Sequence, residues 1–118
     1  MKAVALLLLL TTEVGAEPLY RPHMSGVQLV RDMLADPMEG LNSIRRERAM
    51  AYIDGVADAS AGIRWCPAGK PVPHELPYVV VEEIDKMKGP HDGDASALVL
   101  NALGKLFPCR HGGRGGAR

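Results

Sequence analysis

Aromatic side chains are scarce in this sequence: one Phe, one Trp and three Tyr, 4% of 118 residues. Stacked rings therefore cannot carry the core, which falls to Leu, Val, Ile, Ala and Met. The apolar share of 47% is still that of a globular chain. Charge of one sign is missing too. The formal net charge is zero, so the chain has no electrostatic footprint for nucleic acid or an anionic membrane surface. Catalytic signatures are absent as well: there is no GxSxG, HExxH, P-loop or dinucleotide fingerprint. Ser60 and Ser96 fall inside expected helices with no base in reach by sequence. Glu82, Glu83 and Asp85 read as a surface acidic patch before they read as an acid–base pair. His91, Asp92 and Asp94 share one turn, but their types and spacing match no named metal site, and a helix cap explains Asp94 without an ion. No catalytic residue, cofactor or metal is assigned, and no internal repeat is visible. The length allows one small domain.

What is present begins with an address. Lys2 gives a positive start, and an unbroken apolar run over 3–10 follows, with five consecutive leucines. Val14 and Ala16 place small residues three and one positions before a cut. The pattern is that of a secretory signal cleaved after Ala16. An uncleaved N-terminal helix or anchor is the alternative, although the run is far shorter than the roughly 20 residues that span a bilayer. The expected location is outside the cytoplasm, with no membrane association once the leader is removed.

Export bears on the cysteines. Cys66 and Cys109 are the only two, and in an oxidising compartment two widely spaced thiols most simply pair with each other. Closing a loop of that size contributes about 4 kcal/mol in the chain-entropy model. Two free buried thiols, or a metal or redox site, are the alternatives. CxxC is missing, and neither cysteine has a histidine at zinc-ligand spacing, although His111 lies two after Cys109.

The best helix pattern lies in the stretch over 48–66. Ala49, Tyr52, Ile53, Val56, Ala59, Ser60 and Ile63 recur at steps of three and four, the period of a buried stripe. Asp54 and Asp58 sit opposite, toward water. Asn42 or Ser43 is expected to cap this helix, and Gly62 to end it in a left-handed turn. The run Arg45, Arg46 and Arg48 reads as a solvated face, with contact to an acidic partner as the alternative. Before it, Ser25 caps a short helix with Leu29, Val30, Met33 and Leu34 on its stripe, ended by Asp36-Pro37. After it, Trp65 beside Cys66 is expected to pack as a lid on the sulphurs, an exposed partner anchor being the alternative. A third helix over about 75–88 buries Leu76, Val79, Val80, Ile84 and Met87, with Pro77 in its first turn. Val79-Val80-Val81 favours a strand locally. A fourth, capped by Asp94, repeats Ala95, Leu98, Val99, Ala102, Leu103 and Leu106 and stops at Pro108. The fold class is all-α: a small bundle of about four helices tied by one disulfide. The chain divides into a signal peptide at 1–16, an extended lead-in at 17–24, a helical domain at 25–109 and a disordered Gly/Arg tail at 110–118.

In order along the chain stand AYIDGVADA, CPAG, VVVEEI and ALVLNALGKLFPC. Together they resemble the Rap/Tai-type immunity protein family of type VI secretion systems, over roughly 26–109. The residues that carry the resemblance are Tyr52, Ile53, Gly55, Val56 and Asp58, then Trp65 beside the first cysteine, then Phe107, Pro108 and Cys109. The resemblance implies a small, mostly helical periplasmic protein that binds a peptidoglycan amidase toxin and blocks its cleft without chemistry of its own, in some relatives as a homodimer. The chain departs from the pattern in lacking a second cysteine pair. The corresponding places are Met33 or Leu34, and Ala49. Many relatives lack an obvious toxin partner, so an envelope accessory or structural domain of the same fold stays open as a second function. No inhibitory residue transfers from the family. The surface chosen here as partner-binding is the loop of Lys88, Gly89, Pro90, His91, Asp92, Gly93 and Asp94, with the loop over 64–70 second. Plain connectors are the alternative for both.

Overall fold

The computed structural model describes residues 19–67 and 71–110. The expected leader, the first two residues of the lead-in, the last three residues of the 64–70 loop and all but the first residue of the tail lie outside them. The described residues form four helices and no strand: α1 (Gly26–Leu34), α2 (Asn42–Ser60), α3 (Leu76–Lys86) and α4 (Ala95–Leu106). Every helix packs on all three others. Among the described residues no helix is long and apolar enough to cross a membrane.

Each helix buries one side, although on α3 Val81 is buried where Val79 and Met87 of the expected stripe are half-buried. Leu29 and Met33 of α1, Ala49, Ile53 and Ala57 of α2, Val80, Val81 and Ile84 of α3, and Val99, Ala102 and Leu103 of α4 share one core, closed by Met24, Trp65, Leu76 and Phe107. Burying one such aliphatic side chain contributes about 1.5–3 kcal/mol. Helix wins over the local strand preference of the three valines because Val80 and Val81 meet this core from successive positions, flanked by buried Leu76 and Ile84. Pro77 lies in the first turn of α3, where its missing N–H is one the helix leaves unpaired anyway.

The stripe on α2 differs from the expected one. Ala57 is buried, Tyr52 and Val56 are half-buried, and Ala59 is exposed. Ile63, at 75% exposure, lies outside the core altogether. The reason is the helix end. The helix stops at Ser60 with Ala61 as C-cap, and Gly62 takes φ +79 just beyond it, the left-handed turn foreseen there. The turn swings Ile63 off the helical period and brings Trp65 inward instead. Leu34 is likewise exposed, because α1 ends there and Met33 takes the buried place. Met33 and Ala49, where a second bridge would stand, are fully buried on two helices that pack together.

The caps divide in the same way. Ser25 caps α1 as expected, its hydroxyl accepting from the Gln28 N–H at 3.1 Å. At α2, neither Asn42 nor Ser43 serves. Leu41 occupies the cap position without a side-chain bond, and the Asn42 amide turns back to donate to the Asp36 carbonyl at 2.9 Å. Asp94 occupies the cap of α4, but its side chain makes no cap bond. Arg46 is no solvated residue: it is half-buried, and its guanidinium donates to the carbonyl of Ala35, the C-cap of α1. A cation there satisfies a terminal carbonyl and complements the negative end of the helix dipole.

Candidate partner-binding surface

Two surfaces were marked in the sequence, and the structure places them at opposite ends of α4. The first is the α3–α4 connection. α3 closes with the Met87 N–H donating to the Ile84 carbonyl at 3.0 Å, and the chain leaves through Lys88 and Gly89, the latter at φ +100. Lys88, Gly89, Pro90, Asp92, Gly93 and Asp94 are exposed, whereas His91 is half-buried. Its ring Nε2 lies 3.3 Å from the Met87 carbonyl. The loop thus presents one cation and two carboxylates to solvent while its histidine turns back on the body. Among the described residues no group of three His, Cys, Asp or Glu side chains gathers as a metal site, so His91, Asp92 and Asp94 do not converge.

This loop is pinned by Met24, the last residue of the expected lead-in, and by Ser25 and Gly26 at the start of α1. Ser25 and Asp94 form an antiparallel bridge. The Gly26 N–H donates to the Gly93 carbonyl at 2.8 Å, and the Ala95 N–H donates to the Met24 carbonyl at 3.1 Å. Met24 itself is buried. A signal for this was available: a glycine at the first position of a helix lowers helix propensity, so Gly26 asked for another reason to be there.

The second surface is the segment after α2, knitted to the far end of α4. Cys66 and Cys109 are disulfide-bonded, and neither is a free thiol. The Cys66 N–H donates to the Phe107 carbonyl at 2.9 Å. Trp65 is buried, its indole N–H donating to the Ala57 carbonyl at 2.9 Å and its ring packing on Phe107 at 5.6 Å between centroids. Trp65 is therefore core, and the exposed-anchor alternative falls. Ile63 and Arg64 stay exposed on this side. Between the two surfaces run the twelve residues of α4, about 18 Å at 1.5 Å per residue.

The residues carrying the family resemblance gather in two places. Trp65, Cys66, Phe107 and Cys109 meet at the disulfide end, with exposed Pro108 beside them. Tyr52, Ile53, Gly55, Val56 and Asp58 run along α2, of which Ile53 is buried and Gly55 and Asp58 face solvent. Ser60, the polar residue buried in α2, donates to the Val56 carbonyl at 2.6 Å and is engaged by its own helix. Exposed apolar side chains that the sequence did not flag, Met38, Leu41 and Ile44, follow exposed Leu34 in the chain between α1 and the first turn of α2.

Among curated proteins no match is found. The sequence pattern of one family, the Rap1a immunity proteins, matches residues 25–109, which takes in all four helices, both cysteines and both surfaces. The chain belongs to the Rap1a immunity protein family.

Proposed function

We propose that this immunity protein neutralises a peptidoglycan amidase delivered by type VI secretion, acting outside the cytoplasm after its leader is cut at Ala16. The loop over 88–94 enters the toxin's cleft and shuts out the peptidoglycan. The amidase target is what the resemblance to Rap/Tai-type proteins suggests. The observation that supports this mode of binding is the loop itself: exposed side chains on a backbone whose end is tied to residues 24–26, at Gly93 and at Ala95 just beyond it. A loop already held at one end has less freedom to lose on binding, so more of its contact energy appears as affinity. Inhibition of this kind needs no reacting group, and both thiols are spent on the disulfide.

The test is co-purification and titration of the mature protein with amidases encoded beside its gene, together with deletion in cells exposed to attack. Stable binding, inhibition of peptidoglycan cleavage and loss of protection on deletion support the reading. Absence of all three with every candidate amidase overturns it and leaves an envelope accessory domain without a toxin partner.

A further inference from the structure

Two helices begin at one point in this fold, and each supplies what the other lacks. The first N–H groups of any helix have no partner within it. The N–H of Gly26, first in α1, is met by the Gly93 carbonyl just before α4, and the N–H of Ala95, first in α4, is met by the Met24 carbonyl just before α1. The capping is reciprocal, and the loop over 88–94 is one of its two halves.

Gly26 is the point on which this arrangement closes. Its backbone is not in the left-handed region, so glycine is not required there for conformation. It is required for space. A Cβ on Gly26 would stand 2.6 Å from the His91 carbonyl oxygen and would overlap Cδ1 of Leu98. Leu98 is a half-buried side chain that can turn. The His91 carbonyl is backbone, in the middle of the loop, and can yield only if the loop moves.

We propose that residues 24–26 form a strap that sets the shape of the 88–94 loop, with Gly26 as its positioning residue. The inference rests on the proposed function for what the loop is used for, and adds what holds it ready. It ties the start of α1, with the last lead-in residue Met24, to a surface more than sixty residues later in the chain.

Amide exchange on the mature protein, read residue by residue, tests the strap without any toxin. In the unchanged protein the Gly26 and Ala95 amides are protected like those of the helices. Free exchange at both overturns the proposal whatever the variants do. Leu98→Ala alone leaves the loop and Ala95 as they were. Gly26→Ala combined with Leu98→Ala removes the side-chain clash and keeps the backbone one. Protection at Ala95 then falls by at least about tenfold, the effect of losing one backbone hydrogen bond, while Ile53 and Leu103 keep theirs. Unchanged protection in the double variant overturns the strap. Once a cognate toxin is in hand, the double variant associates more slowly than Leu98→Ala, because a loop that must first order itself binds slowly. Equal association rates overturn the strap's part in recognition. The exchange results stand whether or not an amidase is the partner, so the two proposals fail separately.

Discussion

Arg46 shows what a residue's neighbours in sequence conceal. It stands in a run with Arg45 and Arg48, and by composition the three are equivalent. In the fold, Arg45 and Arg48 are exposed while Arg46 is half-buried against the end of α1, bonded to the Ala35 carbonyl. Removing it leaves that carbonyl without its cation. Arg46→Ala lowers stability by about 1.5–3 kcal/mol, the range for a hydrogen bond to a charged group, whereas Arg45→Ala and Arg48→Ala stay within about 0.5 kcal/mol, as surface changes do. Urea denaturation of the three variants separates them. Ala57 and Ile63 make the complementary pair. By type, Ile63 looks the more buried, yet Ala57 lies in the core and Ile63 faces solvent. Ala57→Asp places an unpaired charge in an apolar interior and abolishes folding, while Ile63→Asp changes stability by less than about 0.5 kcal/mol. Circular dichroism with thermal melts decides it, and a well-folded Ala57→Asp would mean the wrong side of α2 is assigned to the core.

The helices themselves were legible because the 3.6-residue period repeats for at least two turns in each, and a period survives small errors in where it starts. Their ends were legible where neighbouring residues decide them, as at Ser25 and Gly62, and not where the deciding bonds come from groups far away in sequence. Ser25 was readable as a cap since its bond to Gln28 is local. Asp94 has the right chemistry for a cap, but its helix receives a carbonyl from Met24 instead, and no local pattern announces a donor–acceptor exchange with the other end of the domain. Thermal melts distinguish the two: Ser25→Ala costs about 1 kcal/mol, the usual loss for a side-chain cap, and Asp94→Ala costs less than about 0.5 kcal/mol because no side-chain bond is lost. The same reasoning explains the candidate surface. The loop over 88–94 was visible in the sequence as a polar turn with glycine and proline, while its attachment to residues 24–26 was not, since nothing in KGPHDGD points to MSG.

For the molecule as a whole, the proposed binding loop and the disulfide stand at opposite ends of α4, so stability and recognition can be tested separately. One end of that helix is held by the disulfide, the Cys66–Phe107 backbone bond and the Trp65–Phe107 packing. The other end carries the loop and its strap. A domain of this size with few aromatics has a modest core, and the bond between Cys66 and Cys109 limits the unfolded chain more than it shapes the folded one. Replacing both cysteines by serine therefore lowers stability by about 2–5 kcal/mol, as loss of a native disulfide does in small exported domains. At a temperature where this variant is still folded, its toxin affinity stays within about threefold of the original, since the altered end lies about 18 Å along α4 from the loop. Reversing the exposed charges of the loop, Lys88→Glu with Asp92→Lys, does the opposite. Its melting curve stays in place because both side chains are exposed, and affinity falls by at least about tenfold, as for contacts at the centre of an interface. Melting curves and titrations on the two variants give four numbers, and the expected pattern is crossed. If the cysteine variant lost affinity while folded and the charge-reversed loop lost none, the binding surface would lie at the disulfide end, on the side of Ile63 and Arg64.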